Sequence, residues 1–344
     1  MEPETPHRRR PRYSGKNPRR FEEKYKEHDP AKHAETVAKV LASGKTPAGM
    51  HRSIMVAEIL EVLAPAAGAF AVDCTLGYGG HAHEILSRIQ PGGHLLGLDA
   101  DPIELPKAEA RIRAMGFGSE VFTAVRSNFA GLPQALTHCG AAGTNEADIV
   151  LADLGVSSMQ IDDPERGFSV KHEGPLDMRM NPRKGQPASF LLQKTGRAEL
   201  GEMLVENADE VYAEVLASAL AGQVFPTTQS LVRAIRAALP RLRPDDLDLT
   251  VRRVFQALRI AVNDEFMALD MFLRCLPDCL KSGGRVAVLT FHSGEDRRVK
   301  KAFAAGLRDG IYAAIADEVI RAGAEERHTN PRSTSAKLRW ARRA

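Results

Sequence analysis

Near the first quarter of the chain stands Asp73-Cys74-Thr75-Leu76-Gly77-Tyr78-Gly79-Gly80-His81, a stretch with the residue types of a nucleotide-like cofactor site. Gly77, Gly79 and Gly80 allow a sharp turn and a close backbone approach to a ligand. His81-Ala82-His83-Glu84-Ile85-Leu86 then begins a helix, whose free N–H groups face whatever lies in the turn. Downstream, Asp99 stands about 20 residues past the turn, where a carboxylate can accept the hydroxyls of an adenosine ribose. Asn128-Phe129 offers an aromatic ring to lie against an adenine, and Asp153 closes a later apolar run. Strand-end aspartates often only cap a following helix, so each is a weak signal alone. Together, in this order, they outline a nucleoside site.

These groups must be held by strands and helices in alternation. Ala69-Phe70-Ala71-Val72, His94-Leu95-Leu96-Gly97-Leu98, Val121–Val125 and Ala147–Asp153 read as strands, short and unalternated as strands covered on both faces are. Helical stretches from Ser53 to Leu63, from Ile103 to Met115 and from Leu132 to Thr137 fall between or beside them. This rhythm predicts an α/β fold with a mostly parallel sheet, whose ligands lie beyond the carboxyl ends of the strands. From about Pro164 to Asp248 it stops. Helical patterns at Arg197–Asn207, Glu210–Ala221 and Thr228–Leu239 predict an inserted helical subdomain. One long amphipathic helix from Val251 to Leu280, a strand Arg285–Phe291 ending in His292-Ser293, a helix from Asp296 and an edge strand Ser335–Trp340 are expected to follow.

The bulk numbers exclude several classes. At 344 residues the chain holds one large domain or a domain carrying a smaller one. The absence of a long uncharged apolar run and of a signal-peptide core predicts a cytoplasmic protein with no membrane partner. Cys74, Cys139, Cys275 and Cys279 read as reduced thiols. The net charge is only +3, but Arg8, Arg9, Arg10, Arg12, Lys16, Arg19, Arg20, Lys24 and Lys26 crowd the start, a flexible arm suited to a phosphate backbone. A helix is expected from Asp29-Pro30 to Gly44.

Two cofactors fit the turn. Gly77-Tyr78-Gly79-Gly80-His81-Ala82 satisfies the dinucleotide pattern, which suits a nicotinamide oxidoreductase. Asp73, inside the loop, would repel a pyrophosphate and attract the methionine ammonium of S-adenosyl-L-methionine, so the electrostatics favour the sulfonium cofactor. His81 and His83 point to different helix faces, which argues against a metal pair. Asp177 and Arg179 could bond a target base or each other, and His292 could relay a proton or be structural.

His51-Arg52-Ser53-Ile54-Met55, the Asp73–His81 stretch, Leu98-Asp99-Ala100-Asp101-Pro102, Asp153–Gln160, Asp162–Ser169 and Gly174–Met180 carry a resemblance to the small-subunit ribosomal RNA cytosine-N4 methyltransferase family. Phe255–Ile260, Phe291-His292-Ser293 with Glu295-Asp296-Arg297, and Asn330–Ser333 extend it over nearly everything after Met50. It implies a class I S-adenosylmethionine-dependent methyltransferase, Rossmann-like, acting on a decoding-region cytosine of rRNA or of the assembled small subunit, with no obligate protein partner evident. Its domains would be a basic extension over 1–49, a methyltransferase domain over 50–163 and 249–344, and a substrate-recognition insertion over 164–248. By matching positions, Gly79, Gly80, His81, Asp99, Phe129, Asp153 and Gln160 would contact the cofactor, with Asp73 added on electrostatic grounds. Asp153 is the candidate acceptor for an N4 proton, and His292 the second catalytic candidate. Arg252-Arg253, where the family has Thr-Arg, joins the insertion and the basic arm as a possible RNA clamp. A noncatalytic RNA-binding or ribosome-assembly protein would share the basic arm, and stays open beside the nicotinamide enzyme.

Overall fold

The computed structural model describes residues 53–139 and 146–344. The basic arm, the helix expected between Asp29 and Gly44, and His51-Arg52 lie outside the described residues. β1 (Phe70–Asp73), β2 (His94–Asp99), β3 (Phe122–Arg126), β4 (Ala147–Asp153), β5 (Leu280–Thr290), β6 (Tyr312–Ile315) and β7 (Lys337–Arg343) form one sheet in the order β3-β2-β1-β4-β5-β7-β6. The first five are parallel. β7 runs antiparallel to β5, and β6 antiparallel to β7. The chain leaves β1 toward β2 on one side and reaches β4 on the other, so the switch point lies between β1 and β4. Every strand-end residue singled out above belongs to this carboxyl edge.

The final strand is not at the edge as expected. It lies between β5 and β6, and the edge is β6, whose four residues Tyr-Ala-Ala-Ile are too short to announce a strand.

Each face of the sheet is covered by helices. α1 (Val56–Leu63), α2 (Gly80–Ile89) and α3 (Glu104–Ala114) bury Ile59, Leu63, Ile85, Leu86 and Ile112 against one face. α4 (Leu132–Cys139) covers the other, with Leu132 and Leu136 inward. After β4 come α5 (Ser158–Asp162), α6 (Ala188–Lys194), α7 (Arg197–Ala208), α8 (Ala213–Leu220), α9 (Thr228–Ala238) and α10 (Pro244–Val262). Leu204, Leu216, Ile235, Val254 and Leu258 give this group its own apolar core. α11 (Glu265–Cys275) and α12 (Ser293–Arg308) return to the sheet through Leu269, Phe272, Val299 and Phe303, and α13 (Ala324–Thr329) precedes β7.

The single helix expected from Val251 to Leu280 is thus two. The apolar period continues through the break, but Asp264 takes a left-handed φ of 50° and turns the chain. α10 faces the inserted core and α11 the sheet. Asn263, at the break, donates from Nδ2 to the Met178 carbonyl at 2.8 Å and accepts the Met180 N–H at 2.7 Å. The break therefore pins the loop that enters the insertion.

A second tie is ionic. Asp101, just past β2 and 1% exposed, accepts from Arg166 Nη1 at 2.8 Å and from Gln160 Nε2 at 2.9 Å. Arg166 Nη2 also donates to the carbonyls of Arg179 and Met180. Removing one partner of a buried ion pair strands the other, at a cost of about 3–5 kcal/mol. Arg166→Ala is expected to lose stability on that scale in urea unfolding, and a change below about 1 kcal/mol would show that the tie is not structural.

Candidate functional site

The loop after β1 is fixed to both neighbouring strands before any ligand arrives. Cys74 N–H donates to the Leu151 carbonyl at 2.8 Å, and Leu76 N–H to that of Leu98 at 2.7 Å. The Asp153 N–H donates to Thr75 Oγ1 at 2.7 Å. Gly77 N–H donates to Asp99 Oδ2 at 2.8 Å. Two glycines are required here for different reasons. Gly79 has a φ of 88°, which side chains rarely adopt, and a Cβ on Gly80 would lie 2.1 Å from Ser53 Oγ. The turn feeds α2, which starts at Gly80.

Beyond this loop opens a cavity of about 780 Å³, lined by the ends of β1, β2 and β4 and by the α10–α11 break. Gly79, Gly80, His81, Asp99, Phe129, Asp153 and Gln160 all lie on its wall, so the structure brings these sequence candidates together. Asp99 and Phe129 stand toward the β2–β3 side, and Phe129 is held edge-on by Phe272 at 5.7 Å. Gln160 is fixed by a capping box with Ser157 and by its bond to Asp101.

Two candidates lie elsewhere. Asp73 is 1% exposed and absent from the cavity wall; its carboxylate turns back to accept the Thr75 N–H at 3.0 Å. In this position Asp73 braces the loop through Thr75 and does not face the cavity where a ligand ammonium was expected. His292 also lies off the cavity wall. It caps α12, its Nδ1 accepting the Glu295 N–H at 3.4 Å, with Nε2 3.2 Å from Glu295 Oε1. Asp177 and Arg179 take the simpler of their two alternatives and pair with each other, at 2.7 and 2.8 Å. Glu295, Arg259 and Glu265, which line the cavity, were not singled out from the sequence. Arg259 and Glu295 fall within the motif segments quoted above, and Glu265 within none of them.

The electrostatics of the wall are set by buried carboxyls. Burial pushes Asp153 up to about 7, with Glu295 adding repulsion. Burial likewise pushes Asp99 and Asp73 up to about 6, against the pull of N–H groups on Asp99 and of His81 on Asp73. Asp153 Oδ1 is buried with no hydrogen-bond partner among the described residues, and Oδ2 lies 3.6 Å from His81 Nδ1. His81 Nε2 is 2.9 Å from the Ile54 carbonyl, which can only accept, so Nε2 carries the proton. The Nδ1 side of the same ring is the side that faces Asp153.

A wall of carboxyls with an orphaned buried oxygen suits a ligand bearing positive charge. Cys74 also reaches the wall, but burial and Asp73 push its thiol well up, so it stays protonated and is no nucleophile.

Comparison with known proteins gives the wider context. The MraW methylase family matches residues 48–344. The ribosomal RNA small subunit methyltransferase H 2 of Alkaliphilus metalliredigens is 49% identical, over 99% of this chain and 99% of its own. The ribosomal RNA small subunit methyltransferase H 1 of Lachnoclostridium phytofermentans is 48% identical over 99% and 94%. The ribosomal RNA small subunit methyltransferase H of a Geobacter species is 41% identical over 84% of this chain and 97% of its own. The first two matches thus include the basic start, whereas the third spans a length close to that of residues 48–344.

The raised carboxyls give the ligand-free protein a pH dependence with a defined sign. Between about 4 and 7 the folded state holds protons on Asp153, Asp99 and Asp73 that the unfolded chain has released. Their contribution to stability is complete below the ordinary value of 3.8 and is lost as the pH rises through about 6 to 7. Glu295, Asp177 and Asp296, held low by their partners, act in the opposite sense only below that window. Asp153→Asn is therefore expected to flatten the fall in urea-unfolding stability from pH 5 to 7.5. An unchanged slope would place the proton elsewhere.

Proposed function

The chain belongs to the MraW methylase family, and from that membership we propose that it transfers a methyl group from S-adenosylmethionine to the exocyclic N4 of a decoding-region cytosine in small-subunit ribosomal RNA. It is an S-adenosylmethionine-dependent methyltransferase, as its family and relatives indicate. The observation that carries the site assignment is the half-buried Asp153 carboxyl, whose buried Oδ1 has no partner among the described residues, at the β1–β4 switch point beside His81 and the glycine loop.

S-adenosylmethionine, when bound, supplies a methyl group made electrophilic by the adjacent sulfonium. Asp99 would take the ribose hydroxyls, Phe129 the adenine face, and the Gly79-Gly80-His81 backbone the methionine end. The N4 lone pair of cytosine is delocalised into its ring, so an acceptor on an N4 hydrogen helps the nitrogen pyramidalise as it attacks. Asp153 provides that acceptor. Positive charge brought into the cavity favours its ionised form, and burial keeps it more basic than an exposed aspartate. Methylation of N4 would release an N4 proton, which the Asp153 carboxylate would accept. The protonated Cys74 thiol supports attack by an amino group in preference to a carbon-5 route, which requires a thiolate.

Labelled methyl transfer to small ribosomal subunits and to naked rRNA, followed by nucleoside mass spectrometry, is expected to give N4-methylcytidine from at least one of them. Label on another base or atom would overturn the assignment. Calorimetry is expected to detect S-adenosylmethionine binding and none by NAD. Asp153→Asn is expected to lower kcat by roughly 10²–10⁴-fold at saturating cofactor.

The basic start supports a contact with the RNA backbone. Removing residues 1–49 is expected to weaken RNA binding and make its salt dependence shallower, with cofactor affinity unchanged. Equal RNA affinity with and without those residues would sink this role.

A further inference from the structure

The cavity has a further wall, beyond the sequence candidates already placed. It is built by Arg259 at the end of α10, Glu265 at the start of α11 and Glu295 in the first turn of α12. Arg259 forks onto Glu265 through Nε and Nη2 at 2.8 and 2.9 Å. Its Nη1 takes no hydrogen-bond partner among the described residues. Glu295 is 3% exposed. Its Oε2 accepts the Phe291 N–H at 2.8 Å, and His292 lies against Oε1 at 3.2 Å. Ligating atoms of Glu265, His292 and Glu295 fall within 4.8 Å of one another, as in a cation site, but Arg259 already supplies the positive charge there.

This wall therefore presents an anchored carboxylate beside a guanidinium with a free donor. The two interact: Arg259 helps to hold Glu295 below the usual carboxylate range, together with His292 and the Phe291 N–H. A carboxylate accepts from an N–H group, and a guanidinium donates to a lone pair. The Watson–Crick edge of cytosine offers that pair side by side, with the N4 amino group as donor and N3 as acceptor. Uracil offers the reverse, an acceptor at O4 and a donor at N3. It would set oxygen against the carboxylate and N–H against the guanidinium.

We propose that Glu295 and Arg259 read the target base, Glu295 accepting from one N4 hydrogen and Arg259 Nη1 donating to N3, while the other N4 hydrogen is left to Asp153. This rests on the assignment of cytosine N4 as the methyl acceptor. Glu295 touches the base and is a specificity residue. His292, which does not reach the cavity, is a positioning residue that fixes Glu295. Glu265 acts likewise on Arg259. A base held on its Watson–Crick edge must be unpaired, so the target nucleotide would be turned out of its helix into the cavity.

The test compares three RNA fragments identical except at the mapped target, which is cytosine, uracil or 3-deazacytosine. Binding is read by fluorescence anisotropy in the presence of S-adenosylhomocysteine, so that no turnover occurs. The wild-type protein is expected to prefer cytosine over both others by about tenfold or more, the scale of one good bidentate base contact. Glu295→Gln is expected to bring the cytosine-to-uracil ratio within about twofold, because its amide can pair with either base. Its kcat should fall and its affinity for S-adenosylmethionine stay the same. Equal wild-type binding of cytosine and uracil overturns the proposal, as does a full preference retained by Glu295→Gln. The 3-deazacytosine arm needs no mutant, so the Arg259 half is tested even if Glu295→Gln folds poorly; undiminished binding of that RNA overturns it. A fault in the underlying assignment shows separately, as methyl label found away from cytosine N4.

Discussion

The structure depends on placing carboxyl groups at the ends of adjacent parallel strands, near enough for Asp99 and Asp153 to repel Asp73. Asp73, Asp99 and Asp153 end β1, β2 and β4, and burial raises all three. Such an arrangement is costly for the folded chain by itself. It is tolerated because each group has a local compensation. Asp73 and Asp99 accept backbone N–H groups, and Asp153 lies beside His81. A deficit of positive charge remains, greatest at Asp153 Oδ1, which has no partner among the described residues. Stability and binding are thus opposed at the same atoms.

The second organising feature is the α10–α11 break. Asp264 turns the chain, Asn263 ties the break to the loop at Met178 and Met180, and Arg259 and Glu265 flank it on the cavity wall. One short segment therefore joins the inserted helices, the sheet-covering helix and the acceptor side of the site. The Arg166–Asp101 pair joins the same loop to the end of β2, on the cofactor side.

Much of this was legible in the sequence, for identifiable reasons. The parallel strands were visible because strands covered on both faces are continuous apolar runs, and β4 was read to its last residue. Gly79, Gly80, Asp99, Phe129 and Asp153 were legible because they follow strand ends at one edge, whereas Gln160, inside α5, was marked only by the family resemblance. The antiparallel strands at the C-terminal side were misjudged because β6 is short and pairs through a register shift. The helix break was invisible because hydrophobic periodicity does not register a single left-handed residue. Asp73 and His292 have suitable types at suitable strand ends, but the sequence does not say whether a side chain faces the cavity or its own backbone. Glu295 and Arg259 were hidden for a related reason: they come together only when α10, α11 and α12 pack.

The position of α10 between the inserted core and the cavity wall bears on how this architecture can be taken apart. Val254 and Leu258 pack with the inserted helices, whereas Arg259, one residue further, faces the cavity. The insertion is therefore not a detachable module joined by two linkers. Grafting it onto another methyltransferase core would bring along half of the acceptor wall, and deleting it would remove that half. Substitutions that alter the insertion while leaving the cavity intact are therefore confined to its outer helices, with the α10 seam held constant.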